Sequence, residues 1–331
     1  MNSNNKNPTN SIKKTNRLPN DYNDISFDNL EKQYHKSFIK YSADYYLNSF
    51  QMTFKKGDKL KINKNDIFQS FNYLNSFTIY DKVHLKELTN THKIEDRYND
   101  ILPYKTNLVK LSNNHYINAS YIHIPIPKLI IATQGPKKET INDFWQMIFE
   151  NDCKVIVQLC NFKENGKEKC FNYININKLK NLDFEVEDSI SKGNDNYSQI
   201  NLIKIKNKIT NIKKDVYHIF FFNWPDYEVP DIQKSISSFL IMFHTINQKK
   251  DNKPFIVHCS AGVGRTGCFI AIYLLYCYLK QHLNDPIIQF NIFNLVRQLR
   301  EMRLQMIQTH EQFYFIYNFV KYILENVLFN K

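Results

Sequence analysis

At 331 residues, with 43% hydrophobic and 15% aromatic side chains, the chain can bury a substantial core as one large domain or two small ones. Its formal charge of +12 comes from lysines spread along the length, so no nucleic-acid partner is expected; over-used Asn and Ile mark a compositional background. Six cysteines without CxxC or zinc-like spacing, and a start unlike a signal peptide, point to a reducing, cytoplasmic setting, and the most apolar run, 268–279, is shorter than the roughly 20 residues of a membrane span.

Residues 1–25 are Asn, Lys, Ser, Thr and Pro with little to bury, and are expected to be a disordered tail. Ser26 or Asp28 caps an expected helix through Leu30, Tyr34, Phe38 and Tyr41, followed by a second helical piece and a lysine-rich loop around Gly57. No repeat and no linker divides the rest, so 26–331 reads as one domain. Turn residues and short strands fill 96–104 and 116–121, where Tyr98 taken alone is a partly buried core tyrosine. A helix follows 131–136 with Phe144, Trp145, Met147, Ile148 and Phe149 as its buried face, and 155–159 is a candidate central strand.

The polar stretch 163–170 reads either as a solvated hairpin or as part of a site. Residues 184–222 suggest strands, with 188–198 as a loop, alternation at 202–206 marking an antiparallel edge, and 218–222 a buried strand. The turn Trp224-Pro225-Asp226 leads through Pro230 into a helix over 232–246. Beyond Pro286 a helix carries Phe293, Val296, Leu299 and Met302 with Arg297, Arg300 and Arg303, and a last helix covers 311–328.

The densest signal is 254–267. Phe255, Ile256 and Val257 read as a buried strand and 268–279 as a buried helix, and the turn between them holds Gly262, Gly264 and Gly267, three of the chain's seven glycines. A strand, a tight turn and a helix N-terminus form a nest of N–H donors that favours a tetrahedral oxyanion. Cys259 stands at its mouth, where the same donors favour a thiolate. Arg265 follows after five residues, so a wrapped loop returns its guanidinium to grip two phosphate oxygens, and Thr266 places a hydroxyl near the sulfur. His258 orients the loop through hydrogen bonds instead of acting as a base.

The run His258-Cys-Ser-Ala-Gly-Val-Gly-Arg-Thr-Gly267 closely resembles the signature loop of the phosphotyrosine-specific, cysteine-dependent protein tyrosine phosphatases of non-receptor type. The resemblance runs from about Phe27 to the C-terminus and implies an α/β fold, a strongly twisted mixed β-sheet flanked by helices on both faces. It implies a phosphate cradle from Ser260, Ala261, Gly262, Val263, Gly264 and Arg265, and a cysteinyl-phosphate intermediate on Cys259. Asp96-Arg-Tyr-Asn-Asp100 resembles the family's recognition loop, with Asp96 where Asn is usual; Tyr98 then forms a wall for the phosphotyrosine ring and Asp100 accepts from the substrate backbone. Asp226 becomes the general acid and base on a mobile Trp224-Pro225-Asp226 loop. Glu164 and Lys169 border the site, Arg300 and Arg303 brace the phosphate loop, Gln308 positions water, and Gln312 supports it.

The implied reaction is hydrolysis of protein phosphotyrosine without cofactor or metal, by a monomer whose partners are phosphotyrosine-containing proteins. Two alternatives are weighed. A catalytically weak or dead phosphotyrosine-binding module usually lacks the cysteine, aspartate or arginine, all present here. A phosphoinositide phosphatase tends to carry lysine inside the loop, whereas 260–264 is neutral.

Overall fold

The computed structural model describes residues 50–84, 87–124, 129–248 and 253–329. The expected tail over 1–25 and the helix near 30–41 lie outside them. By contacts the chain divides into Met1–Tyr41 and Ser42–Lys331, and everything below concerns the second unit.

In chain order the elements are β1 (Met52–Lys55), α1 (Lys64–His84), β2 (Ala119–Ile122), β3 (Ile130–Thr133), α2 (Ile141–Glu150), β4 (Val155–Gln158), β5 (Lys163–Glu164) and β6 (Lys167–Glu168). They continue with β7 (Phe184–Asn194), β8 (Ser198–Asn207), β9 (Lys213–Phe221), α3 (Ile232–Gln248), β10 (Phe255–His258), α4 (Gly264–Gln281), β11 (Ile287–Phe290), α5 (Ile292–Met302) and α6 (His310–Tyr322).

Among the described residues a seven-stranded sheet has the order β2-β3-β10-β4-β9-β8-β7. The four strands β3, β10, β4 and β9 run parallel, while β2, β8 and β7 are antiparallel to their neighbours. Parallel strands covered on both faces need apolar side chains at every position. Every residue of β3, β4 and β10 is buried, and each strand is apolar except at its last residue, Thr133, Gln158 or His258. α4 follows the same rule, being buried nearly all round from Gly264 to Leu279 as the central helix between α5 and α6. A parallel sheet presents loops at the carboxyl ends of its strands, where α/β folds place ligands. Here the turn after β10 opens directly into α4.

Two expectations fail in the antiparallel half. The stretch 188–198 is not a loop, because β7 extends to Asn194 and only three residues separate it from β8. Register shifts between Val186 and Asp188 and between Ser191 and Gly193 break its alternation and hide the strand. Nor is 202–206 an edge: β8 lies between β7 and β9, and the polar, mostly exposed β7 is the edge. The second helical piece starts later than expected, at Lys64, after β1 pairs with β11. Of the expected buried face of α2, Phe149 is only half-buried.

Candidate active site

The turn between β10 and α4 is closed by tight contacts at its glycines, and at Gly262, which meets backbone, they admit no side chain. Gly262 has φ +74°, and a Cβ there would stand 2.2 Å from the Thr133 carbonyl oxygen; one on Gly264 would stand 2.5 Å from Gln308 Oε1. The resulting curl turns the Gly262 N–H onto Cys259 Sγ at 3.3 Å. Cys259 is 4% exposed, at the base of a cleft of about 80 Å³. Lining it are Tyr98, Asp100, Ile101, Asp226, Tyr227, Cys259, Ser260, Ala261, Arg265, Gln308 and Gln312. Five of the proposed groups, Tyr98, Asp226, Cys259, Arg265 and Gln308, thus meet in one cleft from four separate stretches of chain. Thr266 is wholly buried, and among the described residues its hydroxyl meets no hydrogen-bond partner, Cys259 Sγ included, contrary to expectation.

Arg265 is 2% exposed and fully engaged. Its Nη1 donates to Glu164 Oε1 at 2.7 Å, to the Leu159 carbonyl at 3.1 Å and to the Trp224 carbonyl at 2.9 Å. Its Nη2 donates to Glu164 Oε2 at 2.8 Å and to Asp226 Oδ1 at 2.7 Å. The two-pronged bond with Glu164 fixes the plane of the guanidinium. Burial works against the charge, yet Glu164 and the nearby Cys259 raise the Arg265 pKa above its ordinary value. Both readings of 163–170 therefore apply: β5 and β6 form a hairpin, and its Glu164 grips Arg265.

Asp226 is held from its other side by Lys169 Nζ at 2.5 Å. Burial pushes its carboxyl up, but the Lys169 ammonium and the Arg265 guanidinium outweigh that and hold it below the ordinary carboxylate range. The loop is anchored by Trp224, which packs edge-on to Phe239 and against Phe315 and donates from Nε1 to the Glu228 carbonyl at 3.0 Å. Tyr227, next to the aspartate, takes φ +61°, an uncommon conformation for a bulky residue, and is 60% exposed. The Thr309 hydroxyl donates to its carbonyl at 3.4 Å, joining this loop to the loop of Gln308 and Gln312.

His258 is wholly buried. Its Nδ1–H donates to the Cys259 carbonyl at 3.1 Å, and its Nε2 meets the Tyr173 hydroxyl at 2.9 Å. The Tyr173 hydroxyl also lies 3.0 Å from Gln158 Oε1, which is within bonding distance of His218. Burial lowers the His258 pKa to about 4. These contacts fit an orienting role.

The arginine pair divides its work. Arg303 braces the turn, donating to the carbonyls of Gly262 at 2.9 Å and Ala261 at 3.2 Å. Arg300, expected to brace that turn, donates instead to the carbonyls of Met306 at 2.9 Å and Ile307 at 2.8 Å and so shapes the loop leading to Gln308. There the Gln308 N–H donates to Gln312 Oε1 at 2.9 Å. Opposite, the Tyr98 hydroxyl lies 2.9 Å from Ser260 Oγ. Arg97 pins the 92–100 loop, bonding the Gly135 and Pro136 carbonyls while its N–H donates to Gln134 Oε1. Sequence reasoning missed Arg97, Asn118, Tyr173 and Thr309. Arg97 sits inside a quoted motif, but nothing in the local pattern shows which distant carbonyls the others meet.

The family model "Protein-tyrosine phosphatase" matches residues 92–322, so the chain belongs to the protein-tyrosine phosphatase family. Among similar curated proteins, rat tyrosine-protein phosphatase non-receptor type 20 is 39% identical over 248 residues, covering 73% of this chain and 56% of that protein. Its human counterpart is 35% identical over 244 residues, 72% of this chain and 56% of that protein. The chain thus spans little more than half the length of these relatives. The crystal structure of the catalytic domain of human protein tyrosine phosphatase non-receptor type 18 superposes with a TM-score of 0.70 at 28% identity, covering 78% of this chain and 96% of that one. That phosphatase is also described in complex with HER2 phosphopeptides. Among the described residues no helix is long and apolar enough to cross a membrane.

Proposed function

We propose that this chain hydrolyses phosphotyrosine in proteins. The carrying observation is the single cleft that gathers Tyr98, Cys259, Arg265, Asp226 and Gln308. Phosphoryl transfer needs little covalent work from the protein beyond placing the reactants and neutralising charge on the equatorial oxygens. The main-chain N–H groups of 260–265 and the Arg265 guanidinium supply that neutralisation. Incoming phosphate takes the Nη2 position that Asp226 holds, while Glu164 keeps the guanidinium in plane. Cys259 Sγ attacks phosphorus, a sulfur–phosphorus bond forms, and the phosphorus–oxygen bond to tyrosine breaks.

Asp226 gives its proton to the departing phenolate oxygen, then removes one from the water that Gln308 orients towards the cysteinyl phosphate. Water's oxygen bonds phosphorus, inorganic phosphate leaves, and the Gly262 N–H steadies the returning thiolate. Tyr98 forms the wall for the ring, and Asp100 accepts from the substrate backbone. No step calls on a cofactor. We place the enzyme in the cytoplasm as a monomer.

Phosphate release from a phosphotyrosine peptide tests this reading, with phosphoserine peptide and inositol phosphates as controls. Release from phosphotyrosine alone is expected. Release from inositol phosphates instead would favour the lipid-phosphatase alternative, and tight binding without release the binding module.

Lys169 yields a pH prediction. It lowers the pKa of Asp226, and the acid must be protonated to act, so Lys169 brings the alkaline fall of kcat/KM to lower pH. Lys169→Met raises that pKa, and the alkaline limb should move to higher pH. An unmoved limb would show that another group sets it.

A further inference from the structure

Asp96 is 3% exposed, and among the described residues no cation lies within ion-pair distance of its carboxylate. A buried lone carboxylate is costly unless its oxygens are met by donors. Three meet it. Oδ1 accepts from the Tyr116 hydroxyl and from Asn118 Nδ2, both at 2.8 Å, and Oδ2 accepts from the His92 N–H at 2.8 Å. The Tyr116 and Asn118 bonds join the 92–100 loop to the segment entering β2.

The chain of bonds does not stop there. Asn118 Oδ1 accepts from Arg303 Nη2 at 2.7 Å, and Arg303 continues to the carbonyls of Ala261 and Gly262 behind Cys259. Arg303 is 0% exposed, and it too lacks a carboxylate in contact among the described residues. Burial lowers its pKa to about 10, while the charges of Tyr116, Cys259 and Asp96 counter that fall. The Asn118 amide is thus clamped between a carboxylate on its N–H side and a guanidinium on its carbonyl side. This arrangement polarises the amide and strengthens both bonds.

We propose that Asp96 is a positioning residue: through the Asn118 amide its carboxylate is the counter-ion of Arg303, and this bridge sets Tyr98 at a fixed separation from Cys259. The asparagine usual at this place in the resembling motif cannot do the same here. An amide has one acceptor oxygen, so its N–H₂ would face at least one of the three donors, and the bridge to Arg303 would lose its negative end. The inference rests on the proposed function, because the separation matters only to a ring that enters the cleft between these two residues.

The test uses Asp96→Asn, Asn118→Ala and the double variant of the full chain, read by steady-state turnover of a phosphotyrosine peptide and by chemical denaturation. Asp96→Asn should raise KM roughly tenfold, in keeping with a lost bond to a charged group, with kcat within about twofold of wild type. The double variant should be no worse than the more severe single one, because both cut the same bridge. Unchanged KM, a fall in kcat with KM intact, or single effects that multiply in the double variant would overturn the proposal. Should Asn118→Ala fail to fold, Asn118→Ser takes its place. If the wild-type chain released no phosphate, the proposed function would fail, while the denaturation cycle would still judge the bridge, non-additive losses supporting it and additive losses refuting it.

Discussion

Cys259→Ser is expected to reduce phosphate release from a phosphotyrosine peptide by roughly 10⁶-fold, the scale seen when a hydrolase loses its nucleophile, while peptide affinity by calorimetry is retained. The two effects separate because different parts carry them. Binding belongs to the main-chain donors of 260–265, to Arg265 and to Tyr98, none of which the substitution removes. Attack belongs to the sulfur, which meets the Gly262 N–H at 3.3 Å in a turn too tight for a Cβ at that glycine. A serine hydroxyl fits the same space but stays protonated at neutral pH, and its base would have to be His258, whose ring nitrogens are committed to the Cys259 carbonyl and Tyr173. Residual turnover near the wild-type level would mean that another group attacks phosphorus.

Asp226→Ala is expected to lower kcat by roughly 10²–10⁴-fold, the range for a lost general acid. The loss should depend on the leaving group. Tyrosine departs as a phenolate whose parent hydroxyl has a pKa of about 10, so it needs the proton; an aryl phosphate with a far more acidic phenol needs it less, and its turnover should fall less. The substitution also removes the carboxylate that occupies Arg265 Nη2, leaving that donor open to phosphate. Slow turnover with undiminished or tighter binding makes this variant suited to capturing phosphoproteins from cells, which would identify the substrates. Equal losses for both leaving groups would show that Asp226 acts by position alone.

Legibility in the sequence followed how local each constraint is. The turn after β10 could be read because its chemistry lies within ten residues: the cysteine, the crowded glycines and the returning arginine all act on one another. β4 and β10 could be read because burial on both faces leaves short runs that are apolar up to their last residues, Gln158 and His258. β7 could not, since two register shifts and a polar, exposed sequence erase alternation. That error moved the sheet edge one strand inward. The arginines show the same limit in the site. They stand three residues apart, but Arg300 lies in the last turn of α5 and Arg303 just past it on extended backbone, which sends Arg303 to the Gly262 carbonyl and Arg300 to the loop of Met306 and Ile307. Asp96 shows the opposite case. Its departure from the usual asparagine was visible in the sequence, but its meaning depends on Asn118 and Arg303, 22 and more residues away, which only the fold brings to it.

The central claim is that phosphorus passes through one sulfur. Rapid quenching of the protein with a phosphotyrosine peptide, in a Gln308→Ala background that slows the second step, followed by mass spectrometry of the digest, tests it most directly. The expected result is one added phosphoryl group on the peptide containing Cys259, absent from Cys259→Ser and appearing before free phosphate. Phosphate released at full rate with no phosphoryl-cysteine, or a phosphoryl group on any other residue, would contradict it.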